Sequence, residues 1–230
     1  MLKVLSTKLL DQSQIDIAHE MDIALTCVDF IRTHYLDFEM PVAQYDTIVF
    51  TSSNAVKSFF EKENASALKS SIEDLGVKVF AISGKTKTEL AKHNIEPITV
   101  ADNAEKLADV VIAHSNIKSV LHICGDLKLD TLGNKLVESD IAYTPLVVYE
   151  TTLSGTKLKE DYDAVMFYSP SGVESFVREN KIDPDVLYCC IGETTADKLR
   201  NIDSRGNVVV SKEPSPEVML STIQHFKIKY

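Results

Sequence analysis

The chain has 230 residues, of which 44% are hydrophobic and 25% are charged, as in folded globular proteins. Its formal net charge of −10 disfavours nonspecific binding to nucleic acid or to an anionic membrane surface. No apolar run is long enough to cross a bilayer, and the first residues turn acidic too soon for a secretory signal. We therefore expect a cytoplasmic protein that has neither nucleic-acid nor membrane partners.

The cysteines and histidines give no sign of a metal or redox site. Cys27, Cys124, Cys189 and Cys190 form no C-x-x-C pair, and the six histidines are scattered without metal-ligand spacing. We interpret the cysteines as reduced, buried thiols and the histidines as surface or core residues.

Strands alternate with helices from the start of the chain. An apolar strand is predicted over residues 2–6, a helix over 14–21 and a second extended segment over 22–30. Residues 31–41 show no clear helical period, so we expect them to cross from one lobe to another.

The alternation continues to the end of the chain, interrupted by a polar linker over 151–161. Asn103 is expected to cap one of the helices. The further predicted strands are 47–50, 77–82, 95–100, 118–124, 142–149, 164–167, 185–191 and 207–211. The further predicted helices are 57–63, 67–75, 85–94, 103–114, 128–139, 171–180, 194–201 and 215–226.

One stretch of the chain occurs twice. The segment 45–59, YDTIVFTSSNAVKSF, recurs 117 residues later as YDAVMFYSPSGVESF in 162–176, with seven of the fifteen positions identical. Each copy is a strand, a serine-rich turn and a helix start, where hydroxyls and free backbone N–H groups suit an anionic ligand. The parallel extends further and brings Thr86 opposite Thr195. A repeat this long indicates two related α/β lobes rather than a solenoid.

Alternating strands and helices predict a parallel sheet in each lobe with helices on both faces, a doubly wound, flavodoxin-like fold. The last third of the chain supplies only three strands, so we expect the N-terminal segment to complete its sheet. Ligands should bind at the carboxyl ends of the strands, in a cleft between the lobes. The predicted organisation is a discontinuous lobe of 1–33 plus 152–230, an inserted lobe of 36–148, and a hinge near 31–36 and 149–154.

The residues alone support a two-lobed α/β protein with a polar cleft. The sequence lacks G-x-G-x-x-G, Walker A, G-x-S-x-G and H-E-x-x-H motifs, which removes the main support for dinucleotide, P-loop, hydrolase and zinc-protease functions. In order and spacing, however, six segments resemble the uroporphyrinogen-III synthase family. They are VFTSSNAV (49–56), NAEKL (103–107), CGDLK (124–128), VYET (148–151), FYSPSGV (167–173) and IGETTA (191–196).

The resemblance implies an enzyme of tetrapyrrole biosynthesis, the route to heme, siroheme and cobalamin. Its substrate would be hydroxymethylbilane, a linear tetrapyrrole that bears acetate and propionate groups. Loss of the terminal hydroxyl gives an azafulvene, ring D attacks through its substituted carbon, and the spiro intermediate rearranges to uroporphyrinogen III with ring D inverted. The resemblance implies a monomeric lyase without cofactor or metal. The residues alone leave open a second class, a non-catalytic two-lobed protein that binds a small anion.

The resemblance assigns the role of general acid to Tyr149, with simple packing between the lobes as the alternative. The alternative to substrate binding for Ser169 is that it only caps the following helix. For Lys128 the alternative is a solvated lysine at a helix start. The chain departs from the family at Asn54, where a basic residue is usual, and at Ser83, which replaces a glycine. The predicted substrate-binding residues are Ser52, Ser53, Asn54, Thr86, Lys128, Ser169, Ser171, Gly172, Thr194 and Thr195.

Overall fold

The structure is a computed structural model, which describes residues 1–41, 44–61 and 76–229. Strands and helices alternate through these residues, which confirms the predicted α/β class with parallel sheets. The helix predicted over 67–75 lies outside the described residues. The strands are β1 (Leu2–Ser6), β2 (Ile23–Cys27), β3 (Ile31–Tyr35), β4 (Thr47–Phe50), β5 (Lys78–Ile82), β6 (Thr99–Ala101), β7 (Ser119–Gly125), β8 (Ala142–Leu153), β9 (Ala164–Phe167), β10 (Leu187–Cys190) and β11 (Asn207–Val210). The helices are α1 (Gln12–Glu20), α2 (Ser53–Glu61), α3 (Lys85–Lys92), α4 (Ala104–Ala113), α5 (Thr131–Glu138), α6 (Pro170–Glu179), α7 (Glu193–Ile202) and α8 (Pro216–Lys229).

The chain divides into two compact units. The terminal unit combines Met1–Arg32 with Thr152–Tyr230, and the central unit is Thr33–Thr151. The chain therefore passes from one unit to the other twice. Among the described residues, none of the helices is both long enough and apolar enough to span a membrane.

The terminal unit contains a sheet with the strand order β2-β1-β9-β10-β11, and the pairs are parallel. Counted in chain order within the unit, this is 2-1-3-4-5, the flavodoxin-like order. Helices α1 and α8 cover one face, where Ala18 and Met219 pack with Val4. Helices α6 and α7 cover the other, where Val173 packs with Leu5. The sheet is therefore doubly wound.

The central unit repeats this arrangement with a different starting point. Its strands lie in the order β3-β8-β7-β4-β5-β6, and the strands from β8 to β6 pair in parallel. If β7 is counted first, the order from β8 to β6 is again 2-1-3-4-5. The central unit is thus a circularly permuted form of the same sheet. In this correspondence β4 matches β9, and β7 matches β1.

Both units reverse their strand order at one point, and in open α/β sheets ligands bind at the carboxyl ends of the strands beside such a point. In the central unit the reversal lies between β4 and β7. In the terminal unit it lies between β9 and β1. The two copies of the repeated sequence follow β4 and β9, so each serine-rich turn lies at this place in its own unit.

Residues 31–35 form strand β3, within the segment that the sequence predicted to cross between lobes and that shows no clear helical period. Half-buried Ile31, Thr33 and Tyr35 alternate with exposed Arg32 and His34, which is the two-residue period of a strand with one covered face. Strand β3 lies at the edge of its sheet beside β8.

Several element bounds differ from the prediction. Helix α2 begins at Ser53 rather than at residue 57, and β6 covers only Thr99–Ala101 in place of the predicted 95–100. Strand β8 continues to Leu153, so the start of the predicted polar linker is extended backbone. Helix α5 begins at Thr131 rather than at Lys128. The N–H of Lys128 donates to the carbonyl of Gly125 at 3.3 Å, so Lys128 belongs to the turn that follows β7.

Candidate functional site

A bulge in β8 sets the direction of Tyr149. Cys124 of β7 lies opposite Val147, but Gly125 lies opposite Tyr149, so Val148 is an extra residue in the pairing. In a regular strand consecutive side chains point to opposite faces, and an inserted residue changes this alternation. As a result Val148 and Tyr149 both pack against the same hydrophobic cluster.

The Tyr149 ring lies directly on the backbone of Gly125. A Cβ atom at Gly125 would come within 2.3 Å of Cζ and 2.7 Å of the hydroxyl oxygen of Tyr149, so any other residue there would displace the ring. The strand is held on either side of the bulge. The Tyr149 carbonyl accepts from the N–H of Asp126 at 3.1 Å, and the Val148 carbonyl accepts from the Ser58 hydroxyl.

Tyr149 and Ser52 form a hydrogen-bonded pair at the carboxyl edge of β4. The phenol donates to the Ser52 Oγ at 3.0 Å, and the same oxygen accepts from the N–H of Asn54 at 3.1 Å. With two donors already directed at its oxygen, Ser52 has its own hydroxyl hydrogen left to donate. Burial raises the pKa of Tyr149 above its ordinary value, against the opposing effect of the Ser52 hydrogen bond, so the phenol stays neutral.

Two other predicted residues of the central unit adjoin Ser52 in the chain, and Lys128 follows the neighbouring strand. Ser53 is the first residue of α2, and Asn54 follows it with its Nδ2 donating to the Thr33 Oγ1 at 3.3 Å. Lys128 lies in the turn after the neighbouring strand β7, where its Nζ contacts the Asp130 Oδ1 at 2.9 Å. The Lys128 side chain is only 20% exposed, which differs from the solvated lysine considered as its alternative.

Lys128 also acts electrostatically on β7. Burial lowers the pKa of His122 to about 4, and the positive charge of Lys128 adds to this effect. Burial raises the pKa of Cys124 to about 11, although Lys128 opposes that shift. At neutral pH the end of β7 therefore presents a neutral histidine, a neutral thiol and one ammonium group.

In the terminal unit, Ser169 is the N-cap of α6. Its Oγ accepts from the N–H of Gly172 at 3.0 Å and contacts the Ser171 Oγ at 3.0 Å, and Pro170 occupies the first helical position. The capping alternative considered for Ser169 is therefore confirmed. Ser52 occupies the equivalent position of the repeat and likewise accepts from a backbone N–H at the start of its helix.

The predicted threonines follow neighbouring strands of their sheets. Thr86 and Thr195 are each only 4% exposed, near the starts of α3 and α7, whereas Thr194 is exposed. Both helices begin after a glycine, Gly84 or Gly192, that provides no side-chain cap. In the terminal unit the structure places Thr194 and Thr195 after β10, next to the Ser169 turn after β9.

Two residues at this edge of the central unit were not predicted as functional. Thr51 Oγ1 lies 2.7 Å from the Nε2 of His122, whose Nδ1 lies 2.8 Å from the Tyr143 hydroxyl. In the sequence His122 is a single polar residue within the apolar run Val120–Cys124, and this is the signal that marks it. The pairing itself depends on the register between β4 and β7.

Comparison with protein-family models shows which family the chain belongs to. A model described as uroporphyrinogen-III synthase HemD matches residues 24–221, most of the 230 residues. The chain belongs to the uroporphyrinogen-III synthase family. A search of curated proteins gave no match.

Solved structures of family members share the fold. The uroporphyrinogen-III synthetase from Helicobacter pylori aligns with a TM-score of 0.71 and 21% identity, over 98% of this chain and 100% of the other. A mutant uroporphyrinogen III synthase from Thermus thermophilus aligns with a TM-score of 0.73 and 18% identity, over 100% of both chains. These likenesses extend over whole chains, and family membership supports a role in tetrapyrrole synthesis.

Proposed function

We propose that this chain is an active uroporphyrinogen-III synthase, a cyclising hydro-lyase that converts hydroxymethylbilane into uroporphyrinogen III with ring D inverted. The match to the family model over residues 24–221 is the observation that supports this most strongly. The Tyr149–Ser52 pair adds a neutral proton donor at the edge of the sheet where ligands bind.

The first chemical step needs a proton donor, because the terminal hydroxyl of the bilane departs as water. The pyrrole nitrogen supplies electrons as the carbon–oxygen bond breaks, and the product is the azafulvene. We assign the donor role to Tyr149, whose neutral phenol is fixed on Gly125 and directs its hydrogen at Ser52. Ser52 in turn has a hydrogen to donate, so the two hydroxyls form one donor pair.

The later steps depend on restraint of the substrate. Ring D attacks through its substituted carbon, and the spiro intermediate fragments and recloses, with a proton lost at the end. A free azafulvene closes directly to the unrearranged isomer, so the protein must hold the chain in the conformation that leads to the spiro compound. We assign this task to the turns that follow the parallel strands.

These turns offer the groups that a polycarboxylate needs. Ser53 and Asn54 supply a hydroxyl and an amide next to Ser52, and Lys128 supplies an ammonium group in the turn after the neighbouring strand β7. In the terminal unit we assign the same role to the groups at the starts of α6 and α7, namely Ser169, Ser171, Gly172, Thr194 and Thr195. We add Thr86 at the start of α3. All of these residues belong to one chain, so we propose that a monomer suffices.

The proposal is tested by supplying freshly generated hydroxymethylbilane and separating the products by chromatography. An active synthase gives uroporphyrinogen III at a rate proportional to protein concentration. If only the isomer I product of spontaneous closure forms, the chain is not an active synthase, and the non-catalytic alternative stands in its place.

Comparison of Tyr149→Phe with Thr195→Ala separates the two tasks. Loss of the proton donor should lower kcat, whereas loss of a binding hydroxyl should raise KM or increase the share of isomer I.

A further inference from the structure

Three side chains of the central unit, Thr51, His122 and Tyr143, are joined by hydrogen bonds, with the buried His122 in the middle. His122 is 1% exposed and lies on β7, with the hydroxyl of Thr51 at its Nε2 (2.7 Å) and that of Tyr143 at its Nδ1 (2.8 Å). Thr51 is half-buried and directly precedes Ser52. These hydrogen bonds therefore lead from the interior of the sheet to the edge at which the Tyr149–Ser52 pair lies.

The corresponding place in the terminal unit also has a hydrogen bond. His122 lies opposite Val49, and Ser6 lies opposite Met166, which is Val49's counterpart in the repeat. The counterpart of Thr51 is Tyr168, whose hydroxyl lies 3.0 Å from the Ser6 Oγ.

Both units thus tie the residue before the capping serine to a polar side chain on the strand across the reversal point. The side chains differ between the units while the connection is the same. A histidine that only filled the core would not require this recurrence.

We propose that His122 is a positioning residue that holds the Thr51 hydroxyl as a donor to a substrate carboxylate. This inference rests on the proposed function, because it assigns Thr51 as a further contact for hydroxymethylbilane. It goes beyond that function in naming a residue that does not itself touch the substrate.

The direction of the hydrogen bonds explains how the histidine acts. When the Tyr143 hydroxyl donates to Nδ1, the neutral ring carries its proton on Nε2 and donates to the Thr51 oxygen. The hydrogen of Thr51 is then left for the ligand. In the opposite arrangement Thr51 donates to Nε2 and offers a carboxylate only its lone pairs, which repel it.

The surroundings favour a neutral ring and a protonated phenol. Burial and the charge of Lys128 lower the pKa of His122, and burial raises the pKa of Tyr143. These three side chains therefore stay uncharged at neutral pH. We assign to Lys128 the positive charge that the carboxylate needs. Lys128 lies in the turn that follows β7, where its Nζ contacts the Asp130 Oδ1 at 2.9 Å.

The kinetic test uses Thr51→Val and His122→Phe with hydroxymethylbilane as substrate. We expect each to raise KM about tenfold, the effect of one hydrogen bond to a charged group, while kcat stays within about twofold. The double variant should raise KM no further than either single one, because both changes remove the same contact. Thr51→Ser keeps the hydroxyl and should have the wild-type KM. His225→Gln changes an exposed histidine in α8 and is the matched control, which should also leave KM unchanged.

A spectroscopic test uses the wild-type protein and needs no substrate. Two-bond 1H–15N correlation spectra of 15N-labelled protein at pH 7 should show His122 as a neutral imidazole protonated on Nε2. The Nδ1-protonated tautomer, or a charged ring, would overturn the inference. So would a wild-type KM in His122→Phe or in Thr51→Val. Absence of uroporphyrinogen III from wild-type reactions would instead refute the proposed function and leave the tautomer result standing by itself.

Discussion

Gly125 and Tyr149 lie so close together that a side chain at the glycine would displace the tyrosine ring. A Cβ there would be 2.3 Å from the Tyr149 Cζ, well inside van der Waals contact. The contact exists because the β8 bulge places Tyr149, rather than Val148, opposite Gly125. The position of the candidate acid is thus fixed by backbone on one side and by Ser52 on the other.

Gly125→Ala should displace the Tyr149 ring and lower kcat at least as much as Tyr149→Phe does. The added methyl group forces the ring off its position, and overpacking of this kind costs about 1–3 kcal/mol of folding stability. Steady-state kinetics and urea unfolding of both variants measure the two effects. Gly206→Ala is the control, since a Cβ there comes no closer than 3.2 Å, to the Ile182 side chain. Wild-type kcat in Gly125→Ala would show that the ring position does not matter.

Tyr149→Phe should lower kcat by about 10- to 100-fold if the phenol protonates the leaving hydroxyl. Burial raises the pKa of Tyr149 from an ordinary value of 10.0, so the wild-type phenol stays protonated throughout the neutral and mildly alkaline range. We therefore expect no fall in kcat between pH 7 and about 9 that depends on this residue. A fall in that range that vanishes in Tyr149→Phe would contradict the neutral-donor role.

Ser169→Ala should destabilise the protein by about 1 kcal/mol, because it removes the oxygen that accepts from the Gly172 N–H at the start of α6. Ser171→Ala removes only the contact to the Ser169 hydroxyl, so its free energy of unfolding should stay within about 0.5 kcal/mol of wild type. Urea unfolding of the two variants distinguishes them. If both also raise KM, the turn caps the helix and binds substrate at once. If Ser169→Ala were as stable as wild type, the Ser169 cap would contribute nothing to folding stability, contrary to this prediction.

His122 should make the protein less stable in acid. Its pKa is about 4 in the folded protein against an ordinary value of 6.5, so below pH 6.5 the unfolded chain takes up a proton that the folded chain excludes. The contribution, about 3 kcal/mol, is complete above pH 6.5 and is lost as the pH falls to about 4. Urea unfolding between pH 7 and 4 should show a steeper loss for wild type than for His122→Gln. Parallel curves would show that His122 takes up its proton normally.

Much of the fold follows from local sequence patterns. The apolar runs at 47–50 and 164–167 coincide with β4 and β9, and Asn103 caps α4 as its position before a periodic helix predicts. The repeat located both serine-rich turns, because its two copies contain the same strand, turn and helix start. These features depend on neighbours within a few residues, which is why the sequence alone reveals them.

The rest of the candidate site depends on how distant strands align. The bulge at Val148 is invisible in the sequence, since it arises from the register between β7 and β8. The Thr51–His122 bond needs the register between β4 and β7 in the same way. Strand β3 was missed because an edge strand with one covered face has a weak apolar pattern. Ser52 and Tyr149 were each predicted, but their direct contact was not.

The identity of the product decides whether the chain is a uroporphyrinogen-III synthase. Purified protein is mixed with freshly generated hydroxymethylbilane, and the porphyrinogens are oxidised and separated by isomer, with a protein-free reaction alongside. An active synthase should give uroporphyrinogen III as the main product, in an amount that rises with protein concentration above the isomer I background. Isomer I alone, in the same amount with and without protein, would contradict this function.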